Sequence, residues 1–570
     1  MTGTIISAAR RAIPARWLLD REPARPPGWS RKRWWLPPVT FAASGVLLFA
    51  VYLRQAGLAP ASSDGAANAL QAWDMLHGNV LLRGWSLSDV SFYTTELPQY
   101  ALVEAVRGLN SGIVHVAAAM TYLLVVLLAA VLARGRARGP EGLARALLAA
   151  GVMLAPQPGD GRLVLLSSPD HVGTQVPLLL VWLVLDRARP RWWVPVAVAA
   201  LLALAQIADP LVLFEGAAPL VIVSTVRMCR RRGPWRRQWF ELSLAAGSII
   251  AVAAANLALT VIRHAGGFVV QVPRVALTGI GGIAIHAWYV VEGVLLLYGA
   301  DFFGQPTVAA TMVALLHLAG VALAAWALVR ALRRFLDAEM VVQVLTVALI
   351  VLLAAYLTSG TAPQLSRARE IAGVLPIGAV LAGRLVTGRL AAARAAGRRA
   401  ARWLVPAVAA TAGCYVGAAV YGAVQPPVPG PNQLVASWLQ AHHLTNGIAG
   451  YWEASSITVE SAGRVQVSAV CRADRKVRVF RWEAKKSWYD RRLHDDSFFV
   501  YSPRDARSAP FDSPSPAEAW ATFGSPAATY QVAGDTVMVW HQNLLAALPP
   551  WPPLPPSRLA GTFGAGALLG

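Results

Sequence analysis

Long apolar runs dominate this chain, and between them lie short loops that are polar and often rich in Arg. A helix that crosses a bilayer needs about 20 mostly apolar residues. Runs of that kind, some broken by Pro or Gly, lie near 36–53, 113–133, 143–156, 173–186, 193–208, 211–226, 241–262, 305–328, 340–357, 371–387 and 404–424. They predict a polytopic α-helical membrane protein with about 11 transmembrane helices.

The basic residues fall in alternate loops. Clusters stand at Arg134/Arg136/Arg138, Arg187/Arg189/Arg191, Arg227 with Arg230 to Arg237, Arg330/Arg333/Arg334, and from Arg384 to Arg402. Because cytoplasmic loops collect Lys and Arg, this alternation predicts a cytoplasmic N-terminus and puts the segment after Val424 on the other side. An error of one span would break the alternation. An error of two would preserve it, so the stretch 267–300 has room for a hidden hairpin.

The reading divides the chain into a basic cytoplasmic tail (1–35), a membrane domain (36–424), a Pro-rich linker (425–431), an extracytoplasmic soluble domain (432–548) and a tail (549–570). Trp34-Trp35 precede the first apolar run too late for a cleavable signal peptide. The outward loops are 54–112, 157–172, 263–304 and 358–370, with Asp209-Pro210 as a turn. Beyond the linker, patterning predicts a helix near 432–443 and strands near 456–470, 476–483, 497–501 and 528–540, a small α/β or α+β fold.

Composition agrees with this. Hydrophobic residues make up 56% and charged residues 14%, against roughly a quarter charged in ordinary globular proteins. The net charge of +21 sits in short loops rather than on one face, which argues against nucleic acid as a partner and for membrane lipids. Three cysteines, Cys229, Cys414 and Cys471, fall in three separate regions and give no disulfide framework.

Candidate chemistry gathers on the outward side. Asp64 stands early in the first loop, before Ala66, Leu70, Trp73 and Leu76 at helical spacing, which suits a helix lying along the membrane surface. A carboxylate there can act as general base toward an acceptor hydroxyl; the alternative is that it caps the helix. Asp74, one face round, is either solvated or functional. Ser167-Ser168-Pro169-Asp170-His171 places an Asp and a His before a span, able to orient a sugar hydroxyl, assist the base or bind a metal. Two ligands do not make a metal site, so a divalent cation stays an open question. Glu96 lies in the same first loop. Glu215 falls a few residues inside the sixth run, where an ionisable group normally faces a cavity.

A first span, an acid early in a long outward loop, a helix with Ala66 and Leu70 at helical spacing and alternating spans resemble the GT-C integral-membrane glycosyltransferases. That superfamily includes protein O-mannosyltransferases, aminoarabinose transferases and actinobacterial arabinosyl- and mannosyltransferases. The resemblance implies that Asp64 is the catalytic carboxylate, that the donor is a polyprenyl-phosphate sugar, and that a glycan or protein accepts the sugar at the outer face of the bacterial plasma membrane. Many members carry Asp-Glu where this chain has Asp64-Gly65. Arg367 and Arg369, before Ile371-Ala372-Gly373-Val374-Leu375-Pro376, are similar to the Arg-Tyr-x-x-Pro element of the family, with Glu370 in place of Tyr. They are the candidates for the donor phosphate, which Arg binds through its fork; the alternative is snorkelling to headgroups. The absence of an Asp-x-Asp motif fits a lipid-borne donor. Two rival readings are a transporter or flippase of lipid-linked saccharides and a non-catalytic scaffold that binds envelope polymers.

Overall fold

The computed structural model describes residues 36–551, apart from 232–233, 235–237, 272–275, 362–363, 396–398, 428 and 505–510. The expected basic tail, 1–35, and the C-terminal tail from 552 lie outside the described residues. The chain divides at Leu48: the described part of the first unit is the start of the first helix, and the site lies within the second, Phe49–Gly570.

Every apolar run has its helix. In order they are α1 (Leu36–Ala56), α2 (Ser63–Leu76), α3 (Glu96–Arg107), α4 (Ile113–Arg134), α5 (Gly139–Val152), α6 (Asp160–Leu165), α7 (Gln175–Arg187), α8 (Trp193–Ala208), α9 (Ala218–Arg231), α10 (Trp239–His264), α11 (Ile283–Leu297), α12 (Val308–Arg333), α13 (Met340–Thr358), α14 (Val374–Ala395) and α15 (Arg399–Val424). Among the described residues five segments are long and apolar enough to span alone, and the bent pair Leu365–Ile371 with Val374–Thr387 makes a sixth. The remaining apolar helices are shorter or more polar. On α10, Ile249, Ile250 and Leu257 are each more than 60% exposed, which is stable only where hydrocarbon replaces water. The protein is therefore a multi-pass membrane protein.

Two ends of the bundle are chemically distinct. At one, the basic loops meet: Arg384 pairs with Asp186 at 2.7 Å and Glu339 at 3.1 Å, Arg136 donates to the Asp186 carbonyl, and Arg230 pairs with Asp337. At the other, the backbone N–H groups of Ser91 and Phe92 donate to the Ala208 carbonyl, that of Leu87 donates to Val269, and Leu277 bridges Ser359.

Among its described residues the stretch 267–300 holds one α-helix, α11, rather than a helical hairpin. Leu277 before it meets Ser359, while the Asp301 carbonyl after it accepts from Gln157 at 2.6 Å. With the turn before it, α11 is one of those five spanning segments, Ile280–Leu297, and it packs on the Leu365–Ile371 turn and α6.

The C-terminal domain adds α16 (Pro431–Ala441), α17 (Tyr451–Glu460) and α18 (Pro516–Phe523). Strand β1 (Trp85–Ser86) belongs to the first loop, and β2 (Asn446–Ala449), β3 (Gln466–Ala473), β4 (Lys476–Val479), β5 (Ala484–Lys485), β6 (Phe498–Tyr501), β7 (Ala528–Val532) and β8 (Asp535–Val539) follow. Six of them form a sheet in the order β4-β3-β2-β6-β8-β7, with β2 parallel to β3 and β6 and the other pairs antiparallel. Alternation along the strands sorts side chains to two faces. Ala449, Phe498 and Val500 pack with α16 and α17, while Ile448, Phe499 and Met538 pack with α18.

Two expectations are corrected here. The segment 456–470 is not one strand, because its first part is the end of α17 and the strand begins at Gln466. Its β-branched residues suit either state, and the parallel β2–β3 pairing requires a crossover that α17 provides. The segment 528–540 is likewise two strands, β7 and β8, paired antiparallel, while α2 lies buried between α3 and α17.

Candidate active site

Asp64 sits in the first turn of α2, but it does not cap the helix. Ser62 does, with its Oγ accepting from the Gly65 N–H at 3.0 Å. Freed from that role, Asp64 points its Oδ2 at Arg369 Nη1, 2.9 Å away. The same Arg369 nitrogen lies 3.8 Å from Asp170 Oδ2. Sequence separation hid this meeting: Asp64, Asp170 and Arg369 come from three segments far apart along the chain.

Gly65 explains the missing second acid of the pair. A Cβ there would stand 2.7 Å from Val114 Cγ1 and 2.8 Å from Ser168 Cβ, closer than van der Waals contact permits. That close approach brings Ser168 beside α2, and Ser168 in turn donates to Asp170 Oδ2 at 2.5 Å while Asn68 donates to Asp170 Oδ1 at 2.9 Å. Asp170 is buried. Burial and the neighbouring Asp64 push its carboxyl up, against the pull of Arg369.

Asp170 and His171 part company. His171 has φ +58°, a left-handed conformation unusual for a side-chain-bearing residue, and its Nδ1 meets Asp209 Oδ2 at 2.9 Å. Thr174 donates to the same oxygen at 2.8 Å. Burial disfavours the imidazolium, but Asp209 outweighs it and raises His171 to about 9. Reciprocally, His171 and these hydrogen bonds hold Asp209 below the usual carboxylate range despite its burial. Asp89, which the sequence did not single out, is lifted to about 6 by burial, with His171, Glu370 and Arg367 as neighbouring charges.

The remaining candidates scatter around this centre. Arg367 Nε donates to Glu370 Oε1 at 2.6 Å rather than to Asp64. Glu96 is fully buried, accepts from Thr95, and is pushed up to about 8 by that burial. Glu215 lies in a π-helical turn, Leu213–Ala217, and accepts from Gln175 Nε2 at 2.6 Å. Asp74 is the outlier: it pairs with Lys485 Nζ at 2.8 Å and accepts from Trp85 Nε1 at 2.8 Å and from Asn79, next to the β1–β5 pairing. Among the described residues no cluster of three or more His, Cys, Asp or Glu is arranged to hold a metal.

The C-terminal domain contributes directly. Ser63 Oγ donates to the Trp452 carbonyl at 2.5 Å, and the Tyr451 hydroxyl bonds to both Asp64 Oδ1 and Glu483 Oε2, the latter at 2.6 Å. Tyr451 and Glu483 carry no motif in the sequence that marks them for the site. Trp488 and Tyr489, nearby in the same domain, are packing residues: Trp488 meets the Trp85 ring and Tyr489 donates to the Ala469 carbonyl at 2.6 Å.

No protein-family model matches the chain, and no curated protein matches it. Solved structures do. ArnT from Cupriavidus metallidurans bound to undecaprenyl phosphate superposes with a TM-score of 0.54 at 14% identity, covering 91% of this chain and all (100%) of that one. Apo ArnT from the same organism gives 0.53 at 14%, over 90% and 99%. The Archaeoglobus fulgidus oligosaccharyltransferase in complex with zinc and sulfate gives 0.46 at 13%, over 81% and 68%. The multi-pass architecture and these superpositions show that the chain shares the fold of ArnT.

Proposed function

We propose that the chain is a GT-C-type glycosyltransferase that moves a sugar from a polyprenyl-phosphate donor to an acceptor hydroxyl at the outer face of the plasma membrane. The observation that carries this reading is the meeting of Asp64 with Arg369 beside Asp170, an acid and a cation brought from separate loops to one boundary. Undecaprenyl phosphate bound to ArnT supports a donor of that chemical class.

In the proposed reaction Asp64 takes the proton of the acceptor hydroxyl, whose oxygen attacks the anomeric carbon as the bond to the phosphate oxygen breaks. Arg369 holds the charge that develops on the leaving phosphate, with Arg367 as the second cation of the segment. A phosphate competes with Asp64 for Arg369. When the guanidinium turns toward it, Asp64 gives up its ion pair and its oxygen is free to accept the acceptor's proton. Binding of the donor thereby arms the acceptor side. Asp170, His171, Glu96 and Glu215 supply polar groups for the sugar and the acceptor, while Asp74 stands further off at the domain junction.

The alternation of basic loops and the positive-inside rule support a cytoplasmic N-terminus and an extracytoplasmic C-terminal domain. The test is Asp64→Asn in membranes supplied with labelled polyprenyl-phosphate sugars. Transfer should fall about 10²- to 10⁴-fold. Undiminished transfer by the variant would remove the base, and no transfer by the wild-type protein from any donor would favour a non-catalytic scaffold.

A further inference from the structure

Tyr451 is 2% exposed and clamped by aromatic rings, stacked on Phe511 at 5.0 Å with Phe480 and Trp452 edge-on. Its hydroxyl has one hydrogen, yet it bonds to two carboxylates, Asp64 and Glu483. Two anions cannot share one phenolic proton on good terms in a buried site. A second proton is required, and the surroundings decide which acid carries it. Asp64 has the Arg369 guanidinium at 2.9 Å. Glu483 is 3% exposed, and the charges acting on it are the carboxylates Asp64 and Asp170, with Tyr451 and Ser88 as hydrogen-bond partners. The negative charge therefore belongs on Asp64 and the extra proton on Glu483.

We infer that Glu483, Tyr451 and Asp64 form a hydrogen-bonded chain in which Glu483 donates to the Tyr451 oxygen and Tyr451 donates to Asp64, so that the C-terminal domain orients the base. This rests on the role proposed for Asp64. Tyr451 and Glu483 are positioning residues: Arg369 fixes one oxygen of Asp64 and Tyr451 the other, which locks the plane of the carboxylate. Burial and Asp64 both drive the Glu483 carboxyl well above its usual range, in line with that proton count.

The groups that face Asp64 are Arg369 from the Leu365–Ile371 turn, Asp170 from the loop after α6, and Tyr451 and Glu483 from the C-terminal domain. The chain exists only while that domain is seated. Its anchors are Ser63 to Trp452, the β1–β5 pairing and the Asp74–Lys485 ion pair.

Two readouts test the chain on the full-length protein in detergent. Difference infrared spectra of wild type against Glu483→Gln at neutral pH should show a carboxylic-acid C=O band that the variant lacks and that Tyr451→Phe shifts. In transfer kinetics, Tyr451→Phe withdraws a hydrogen bond from the ionised form of Asp64. It should lower kcat about tenfold by freeing the carboxylate plane, with KM for the acceptor little changed. An unchanged kcat while only the yield of folded protein falls would reduce Tyr451 to a packing residue. Absence of the infrared band would overturn the proton assignment whether or not transfer is observed, so this result is independent of the proposed activity.

Discussion

Removing Arg369 tests whether the three separate loops are coupled through one cation. In Arg369→Ala, Asp64 and Asp170 are left facing each other without the guanidinium that now lies 2.9 and 3.8 Å from them. Breaking a fully buried ion pair costs about 3–5 kcal/mol. The side chains of Arg369 and Asp64 are 24% and 18% exposed, so solvent screening reduces the expectation to about 2 kcal/mol. Asp170, 2% exposed, supplies the rest of the argument, because its charge is the harder one to leave unpaired. Asp170→Asn removes that charge and keeps groups able to bond with Ser168 and Asn68. The double variant should therefore recover part of the lost stability, with a coupling of about 1–2 kcal/mol. Activity should not return, because the cation for the leaving phosphate is gone. Thermal or denaturant unfolding in detergent measures the first quantity and labelled-sugar transfer the second. If the two substitutions prove additive within about 0.5 kcal/mol, the three groups do not act as a unit and the site as described here is wrong.

Further outcomes follow from other contacts. Gly65→Glu, which recreates the Asp-Glu pair of the wider family, drives a side chain into Val114 and Ser168 and should cost about 1–3 kcal/mol; an unchanged unfolding midpoint would mean that the approach is looser than described. His171 is raised to about 9 from an unfolded value near 6.5, so its pairing with Asp209 stabilises fully below about pH 6.5 and is lost as pH rises through about 9. The stability gap between wild type and His171→Gln should accordingly shrink over that window, and a gap that widens with pH would refute the ion pair. Asp74→Ala leaves Lys485 and the Trp85 indole without their shared acceptor; it should weaken the domain junction by about 1–3 kcal/mol and speed limited proteolysis there, whereas an unaltered digestion pattern would show that the junction does not depend on Asp74.

The hydrophobic pattern marked most of the apolar helices, because each needs a continuous apolar run, but it passed over Ile280–Leu297, whose Gly and polar neighbours blur the run. Residue type and the GT-C resemblance singled out Asp64 as a candidate base and Arg369 as a candidate phosphate ligand. What the sequence could not decide was distance. Asp64, Asp170, Arg369 and Tyr451 are hundreds of residues apart along the chain in some pairs, as in the Tyr451–Asp64 contact with a separation of 387, and no local periodicity encodes such a meeting. Tertiary packing also set the roles of neighbours: Ser62 took the cap that Asp64 might have filled by sequence, and the backbone at His171 turned it from Asp170 to Asp209. The seating of the C-terminal domain on α2 arises from shape and from a handful of polar contacts. Local sequence therefore specified the helices, and their packing selected which charges face one another.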